Sequence, residues 1–364
     1  MNILVGMSGG VDSSTTALLL KEQGHNVIGA TMAIWGKDGV YKEIQEKLNK
    51  LQTKKTHGAC LGSDEKEDIE SARKVCEEIG IEFHVFDCAK QYEEIVLNNF
   101  KKEYLQGRTP NPCIWCNSLI KFDVLPTLAK LNGIEFDKFA TGHYARISED
   151  NGCYELKRGI SPNKDQSYFL YRLTQEQLSK IMLPLGDYSK EEIREIAKKY
   201  GLTVADKPDS QDFYEGDYNE LLGVQDKIGN IVNTNGKILG THNGIWNYTI
   251  GQRKGLGISS TEPLYVIELK KDTNEVVVGV KEDTFKDSLV ATKLNWIADL
   301  EGRQEFSCTA KIRSTQQPTE VDVKFLDENN IEVHFKDMQK SISPGQSIVL
   351  YQDDIVLGGG IIDK

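Results

Sequence analysis

The N-terminal stretch "MNILVGMSGGVDSSTTALLLKEQGHNVIGATMAI" constrains the fold more than any other part of the chain. An apolar run ends in a glycine turn, and a helical segment with Ala17, Leu18 and Leu20 on its apolar side follows. A second apolar run, "NVIGATMAI", comes next. Strand, helix and strand within about 30 residues form a βαβ unit, which requires a parallel sheet with helices packed on it.

The pattern of strand and helix continues along the first half of the chain. The segment "KEDIESARKVCEEIG" predicts an amphipathic helix that ends at a glycine, and "IEFHVFD" and "DKFATGHYARI" each predict a strand. Residues 37–57 are polar and rich in lysine, which is typical of a mobile excursion between elements. The first half therefore predicts an α/β domain.

The second half of the chain is rich in predicted strands. From about residue 226 it consists of short alternating runs separated by Gly, Asn and Asp, among them "NEVVVGV", "EVDVKFL", "IEVHFK" and "SIVLYQDDIVLGGGII". Such runs favour one or two small barrels or sandwiches. A chain of 364 residues is long for one hydrophobic core, so we expect two or three domains.

Charge and cysteine content restrict the partners and the compartment. No apolar run approaches the roughly 20 residues that span a bilayer, and the seven cysteines do not form the pattern of a secreted disulfide framework. We therefore expect a cytoplasmic protein with neither a membrane nor DNA as partner. The net charge of −11 repels nucleic acid as a whole, so an RNA partner would have to be held by local basic clusters.

The glycine turn after the first strand is a candidate phosphate site. Backbone N–H groups at the start of a helix, together with its positive end, favour an anion. The patterns G-x-x-x-x-G-K-[ST] and G-x-G-x-x-G are both absent, and the remaining pattern is SGGxDS. A turn with helix-capping Ser and Asp is the alternative. The pattern resembles the pyrophosphatase loop (PP-loop) of enzymes that cleave ATP to AMP and pyrophosphate.

Four further stretches extend the resemblance over essentially the whole chain. They are "GRTPNPCIWCNSLIKF", "FATGHYARI", "NKDQSYFLYRL" and "TIGQRKGLGI", followed by the terminal "SPGQSIVLY". In this order they resemble the bacterial tRNA-specific 2-thiouridylases (the MnmA, or TrmU, family). The resemblance implies an enzyme that adenylates the C2 oxygen of the wobble uridine of certain tRNAs and then replaces that oxygen with sulfur.

The resemblance also implies an architecture and a set of site residues. The expected domains are an adenine nucleotide alpha hydrolase-like PP-loop domain over 1–205, a central β domain over 206–283 and a C-terminal β barrel over 284–364, which binds tRNA. Asp12 would help to position Mg²⁺. The implied ATP-binding residues are Gly6, Met7, Ser8, Gly9, Gly10, Val11, Asp12, Ser13, Met32 and Gly142. The implied tRNA-binding residues are Asn111, Pro112, Cys113, His143, Lys164, Asp165, Gln166, Arg313, Ser314 and Gln346.

The cysteines depart from the common pattern of the family. That pattern has aspartate at the first position of the opening pair, the catalytic cysteine at the second, and another essential cysteine after "DSQ-x-I". Here Cys116 occupies the catalytic position and Cys113 the first one, whereas "KPDSQDFYEGDY" has Phe213 and Tyr214 where the later cysteine would be. The usual persulfide carrier is missing.

Three interpretations of Cys113 and Cys116 remain open. In the first, the pair handles sulfur alone, one thiol carrying a persulfide and the other resolving it as a disulfide. In the second, the pair and Cys60 of "HGACLGSD" hold a [4Fe–4S] cluster whose open iron takes sulfide. In the third, the thiols are structural or form half of a zinc site.

Two other functions compete with thiolation. A PP-loop amide synthetase acting on a small molecule would share the loop, but it would leave the tRNA-side stretches and the β-rich half unexplained. A tRNA-binding paralogue without sulfur transfer would account for the absent cysteine. The sequence leaves the sulfur donor open between a persulfide carrier protein and sulfide.

Overall fold

The computed structural model describes residues 1–35, 59–61, 65–208, 212–214, 218–300 and 302–364. The chain divides into two units. The first contains Met1–Leu97, Pro112–Asp217 and Asp354–Val356, and the second contains Asn98–Asn111, Tyr218–Asp353 and Leu357–Lys364. The predicted excursion at 37–57 lies outside the described residues. No described helix is long and apolar enough to span a bilayer.

The first unit is built on a parallel sheet. Its described strands are β1 (Asn2–Gly6), β2 (Asn26–Ala33), β3 (Ala59–Leu61), β4 (Glu82–Asp87), β5 (Lys138–Ala140), β6 (Ala145–Asp150), β7 (Cys153–Arg158), β8 (Ile181–Met182) and β9 (Asp212–Tyr214). The main sheet has the order β4-β2-β1-β5-β8, and its pairs are parallel. The predicted parallel α/β fold is therefore confirmed.

The strand order reverses direction at β1. The chain steps from β1 to β2 on one side and later to β5 on the other, so the carboxyl ends of β1 and β5 flank a topological switch point. In open α/β sheets ligands bind in the crevice at such a point. The loops after β1 and β5 therefore lie where a nucleotide is expected.

The first unit also contains helices. They are α1 (Val11–Glu22), α2 (Glu65–Ile79), α3 (Ala89–Tyr92), α5 (Pro112–Trp115), α6 (Leu125–Leu131), α7 (Gln175–Lys180) and α8 (Lys190–Lys199), with π-helical stretches at Glu93–Leu97 and Cys116–Val124. Helices α4 (Asn98–Tyr104) and α9 (Tyr218–Leu222) belong to the second unit. One core joins Val5 of β1 and Leu20 of α1 to Val75 of α2 and Ile193 of α8. The helices predicted over 12–24 and 66–80 are both present, at Val11–Glu22 and Glu65–Ile79.

Helix α1 is buried far beyond its predicted apolar side. Ser13, Ser14, Thr15 and Thr16 are buried as well. The free-energy cost of burying these hydroxyl groups is reduced because they form hydrogen bonds within the helix. Ser14 donates to the carbonyl of Gly10 (2.8 Å), and Thr15 and Thr16 donate to carbonyls one turn earlier. The helix is thus fixed on all sides, which holds the loop in front of it.

The prediction of one strand over "DKFATGHYARI" is wrong. Strand β5 ends at Ala140 and β6 begins at Ala145. Between them, Gly142 lies so close to the start of α1 that an added Cβ would stand 2.8 Å from the nitrogen of Ser13. The chain leaves the sheet here to contact the glycine loop, so the strand cannot continue.

The second unit contains a small sheet and a closed barrel. The small sheet has the order β11-β10-β13-β12 and comprises β10 (Gly229–Asn233), β11 (Ile238–His242), β12 (Tyr265–Lys270) and β13 (Glu275–Gly279). The barrel has the order β14-β17-β16-β15-β18-β19 and closes through a β14–β19 pairing. Its strands are β14 (Phe285–Trp296), β15 (Glu305–Lys311), β16 (Thr319–Asp327), β17 (Asn330–Lys340), β18 (Ser347–Gln352) and β19 (Ile355–Ile362). The expected central β domain and C-terminal barrel are confirmed as folds, whereas the boundaries at 205 and 283 remain predictions.

Candidate functional site

The glycine loop joins the end of β1 to the start of α1. Gly9 adopts a φ of +71°, which side chains rarely allow. The backbone N–H of Ser8 donates to Ser13 Oγ at 3.1 Å, which closes the loop on itself. The first N–H groups of α1 have no acceptors inside the helix, so the loop presents donors to an anion at the switch point.

Helix α2 and a lysine brace this loop from one side. The Gly9 carbonyl accepts hydrogen bonds from Ser71 Oγ and from Lys207 Nζ, each at 3.1 Å. Lys207 also contacts Asp68 at 2.8 Å. A Cβ on Gly9 would lie 2.5 Å from the carbonyl oxygen of Asp68, so only glycine allows helix α2 to approach this closely. These contacts fix the position of Gly9 against helix α2.

The other predicted ATP-binding residues also belong to this edge of the sheet. Gly142 contacts the backbone of Asp12 and Ser13, as described above. Met32 is half-buried near the carboxyl end of β2, where it pairs with Phe86. Their roles in binding ATP remain predictions, and their positions are those that a nucleotide at the switch point requires.

Asp12 has two partners that the sequence did not predict. Lys190 Nζ lies 2.7 and 2.9 Å from the two carboxylate oxygens, and the Tyr144 hydroxyl donates to the first of them at 2.8 Å. Lys190 is the first residue of α8, directly after the helix-capping Ser189. The only available signal was this cap, which predicts a helix start but not its partner. If Asp12 is to hold Mg²⁺, it must change partners.

Cys113 and Cys116 lie on one turn of helix. Both are half-buried, and the spacing of three residues puts them on one helical face. Pro112 begins α5 and is buried, and Asn111 precedes it. The turn is held from another side, where the Arg172 guanidinium lies 4.5 Å above the Trp115 ring.

The other described cysteines differ sharply from this pair. Burial raises the pKa of Cys76, Cys88 and Cys308 to about 12. A thiol with such a pKa supplies almost no thiolate near neutral pH, so these three are unsuited to sulfur transfer. Cys153 is exposed at the start of β7.

Cys60 lies in β3, and its side chain is outside the described residues. The backbone register pairs Ala59 with Asp212 and Leu61 with Tyr214, so Cys60 stands level with Phe213. Phe213 lies in β9, the strand in which the common family pattern would place its second cysteine. Within the described ranges, no group of three His, Cys, Asp or Glu side chains could hold a metal.

His143 is a buried, neutral histidine. Its Nδ1 lies 2.7 Å from Thr141 Oγ1, and its ring packs 5.6 Å from that of Phe122. Burial lowers its pKa well below 6.5, and the charge of Lys121 adds to the effect. Only 9% of the residue is exposed, so a contact with RNA would be limited to that part of its surface.

The segment from Lys164 to Gln166 is anchored rather than extended into solvent. The buried Asp165 carboxylate accepts hydrogen bonds from the backbones of Gly159 (3.2 Å) and Ser167 (3.0 Å). Gln166 Oε1 accepts one from the Tyr144 backbone at 2.9 Å. Asp165 therefore shapes this segment, and Lys164, half-buried beside it, has the charge suited to a phosphate.

The remaining predicted tRNA-binding residues belong to the second unit. The exposed Arg313 donates to the Ser341 carbonyl at 2.6 Å, and Ser314 beside it is half-buried. Gln346 donates to the Thr109 carbonyl at 2.8 Å. Thr109 and Gln346, both in the second unit, are thus brought together although they are 237 positions apart in the sequence. Their binding of tRNA remains a prediction.

Known proteins resemble the chain over its full length. Residues 1–214 match the family described as "tRNA methyl transferase HUP domain", 220–280 its PRC-barrel domain and 286–362 the "Aminomethyltransferase beta-barrel domain". The "tRNA-specific 2-thiouridylase MnmA" of Endomicrobium trichonymphae is 50% identical over 100% of this chain and 99% of that protein. Proteins of the same name from Geotalea uraniireducens and Lachnoclostridium phytofermentans are 45% and 44% identical, covering 99% and 100% of this chain and 94% and 99% of their own lengths.

Proposed function

Because the chain belongs to the tRNA-specific 2-thiouridylase family, we propose that it uses ATP to replace the C2 oxygen of the wobble uridine of tRNA with sulfur. The observation that carries the proposal is the presence, within one unit, of a glycine loop at the start of α1 and of two cysteines on a single helical turn. A phosphate loop suits adenylation, and the thiols suit delivery of sulfur.

The first step is transfer of AMP. The C2 oxygen of uridine attacks the α-phosphate of ATP, the bond to the β-phosphate breaks, and pyrophosphate leaves. The N–H groups at the start of α1 are positioned to hold that leaving group. Mg²⁺ would neutralise pyrophosphate charge, and the Asp12 carboxylate is an oxygen ligand of the kind that Mg²⁺ prefers.

The second step is displacement by sulfur. In the form that uses the pair alone, the terminal sulfur of a Cys116 persulfide attacks C2 and AMP leaves. The Cys113 thiolate then attacks the Cys116 sulfur, the S–S bond breaks, and the thiocarbonyl is released as the pair becomes a disulfide. A thiol reductant restores the pair, and a persulfide donor reloads Cys116.

The alternative is a cluster held by three cysteines. It is supported by the register of β3, which puts Cys60 beside the strand that lacks the usual cysteine. Two thiols on one turn and a third cysteine elsewhere in the same unit would be a donor set of the kind that holds [4Fe–4S] clusters with one open iron.

Metal analysis separates these two forms. Wild-type protein, Cys60→Ser and the control Cys153→Ser would be purified without oxygen and assayed for iron and acid-labile sulfide. About four of each, lost only in Cys60→Ser, favours the cluster. Iron-free protein that still thiolates tRNA favours the pair.

Pyrophosphate release tests the adenylation step. We expect wild-type protein to release pyrophosphate from ATP, more rapidly when tRNA is added, and Asp12→Ala to lose this activity. Asp206→Ala is the control because that carboxylate is 82% exposed and pairs with the surface residue Lys198. Release that tRNA does not stimulate would instead favour an amide synthetase acting on a small molecule.

A further inference from the structure

Lys190, at the start of α8, is a buried lysine beside the glycine loop. Its side chain is 7% exposed, and lysine is almost never buried unless it is paired. Its Nζ contacts both oxygens of Asp12 at 2.7 and 2.9 Å, and Asp12 is 30% exposed. The pair therefore lies at the boundary between the core and the crevice after β1.

The local field does not favour a cation there on its own. Asp12 lies in the first turn of α1, whose N-terminus already carries partial positive charge that stabilises a carboxylate. A lysine brought to the same point is repelled by that end of the helix. The combined positive charge of the helix and Lys190 exceeds what one carboxylate balances, so the corner is suited to an additional anion.

Lys207, the second lysine at the loop, has a different role. It donates to the Gly9 carbonyl and pairs with Asp68 of α2, so it ties the loop to a helix. Lys190 instead contacts the one carboxylate that the loop itself carries. Of these two lysines, it is Lys190 whose partner would be drawn away by a divalent cation.

We propose that Lys190 is a triphosphate-binding residue that changes partners. In the nucleotide-free protein it pairs with Asp12, and in the ATP complex it donates to phosphate oxygens while Asp12 is released to Mg²⁺. Three N–H donors on a flexible stem allow this exchange within a short distance. The assignment rests on the proposed use of ATP and adds the residue that binds its phosphates.

Binding selectivity tests the assignment. Full-length wild-type protein, Lys190→Met and Lys190→Arg would be titrated calorimetrically with ATP, pyrophosphate and AMP in the presence of Mg²⁺. We expect Lys190→Met to weaken the binding of ATP and of pyrophosphate about tenfold or more and the binding of AMP much less. Lys190→Arg should retain most of the affinity for all three. The control is Lys198→Met on the same helix, whose lysine is 57% exposed and pairs with Asp206.

The outcomes distinguish the alternatives. If Lys190→Met weakens the binding of ATP and AMP equally and lowers the melting temperature, Lys190 has a structural role. If its ATP affinity is unchanged, Lys190 stays paired with Asp12 when ATP binds. Either result overturns the proposal. Should Lys190→Met fail to fold, Lys190→Gln supplies the same comparison with a side chain that still bonds to Asp12. Wild-type protein that binds no ATP would instead refute the proposed function.

Discussion

Gly9 and Gly10 are neighbours with opposite requirements. Gly9 has a positive φ, and its Cβ would lie 2.5 Å from the Asp68 carbonyl oxygen, whereas a Cβ on Gly10 would meet only Ser8 Oγ at an ordinary 3.5 Å. We therefore expect Gly9→Ala to lower the free energy of unfolding by about 2 kcal/mol or more. Gly10→Ala should cost less, about 1 kcal/mol, because Gly10 is the N-cap of α1, where alanine is less favourable than glycine. Urea denaturation of both variants checks this, and equal losses would contradict it.

His143 makes stability depend on pH. Its folded pKa lies well below 6.5 because of burial, so the unfolded chain takes up a proton that the folded chain refuses. Stability from this group is complete above about pH 6.5 and falls below it, by at most about 1.4 kcal/mol per pH unit. His143→Gln should show a shallower loss between pH 7 and 5 in urea melts. An identical slope in the two proteins would exclude the histidine as its source.

At the residue level, the sequence predicted the loop better than its partners. The strand, the glycines and the helix of the loop are adjacent in the chain, so their local pattern was sufficient. Asp12 bonds to Tyr144 and to Lys190, which lie 132 and 178 residues away from it in the sequence. No local pattern encodes such a contact, because it depends on how the sheet orders its strands.

At the level of elements, the chain leaves the sheet after β5 and contacts the start of α1. A Cβ on Gly142 would stand 2.8 Å from the backbone of Asp12 and of Ser13, so a side chain at this position would force the two backbones apart. The sequence predicted one strand here because its apolar pattern continues from 137 to 147. The close approach of the Gly142 backbone to α1 ends the strand, and such an approach is not visible in the pattern of apolar residues.

Gly142→Ala is expected to displace the start of α1. Overpacking of this kind costs about 1–3 kcal/mol, and the displaced N–H groups would bind phosphate less well. We expect ATP affinity to fall about tenfold or more in calorimetric titration. An affinity equal to that of wild type would mean that the loop after β5 is not part of the nucleotide site.

For the whole molecule, the net charge of −11 sets the terms of any RNA contact. Attraction must come from local basic residues, as the sequence already indicated, and such contacts weaken with salt. The two units also show why linear boundaries are difficult to predict. Residues 98–111 and 357–364 belong to the second unit, which is assembled from separate parts of the chain.

Arg313 offers a test of this view of RNA binding. The side chain is exposed on the barrel and tied by one nitrogen to the Ser341 carbonyl. We expect Arg313→Gln to weaken tRNA binding and to reduce the slope of log Kd against log salt by about one. Lys324→Gln, a change at an exposed barrel lysine paired with Glu305, is the control. Equal effects of the two changes would indicate general charge attraction instead of a specific contact.

Nucleoside mass spectrometry of tRNA would decide whether this protein is a thiolase. Unmodified tRNA would be incubated with ATP, Mg²⁺ and sulfide or a persulfide donor, with and without oxygen, using wild-type protein, Cys116→Ser and Cys153→Ser. We predict 2-thiouridine at the wobble position with wild type and Cys153→Ser, and none with Cys116→Ser, although that variant still binds ATP. Thiolation by Cys116→Ser at the wild-type level would contradict the mechanism. Tight tRNA binding with no thiolated product under either condition would identify a binding paralogue.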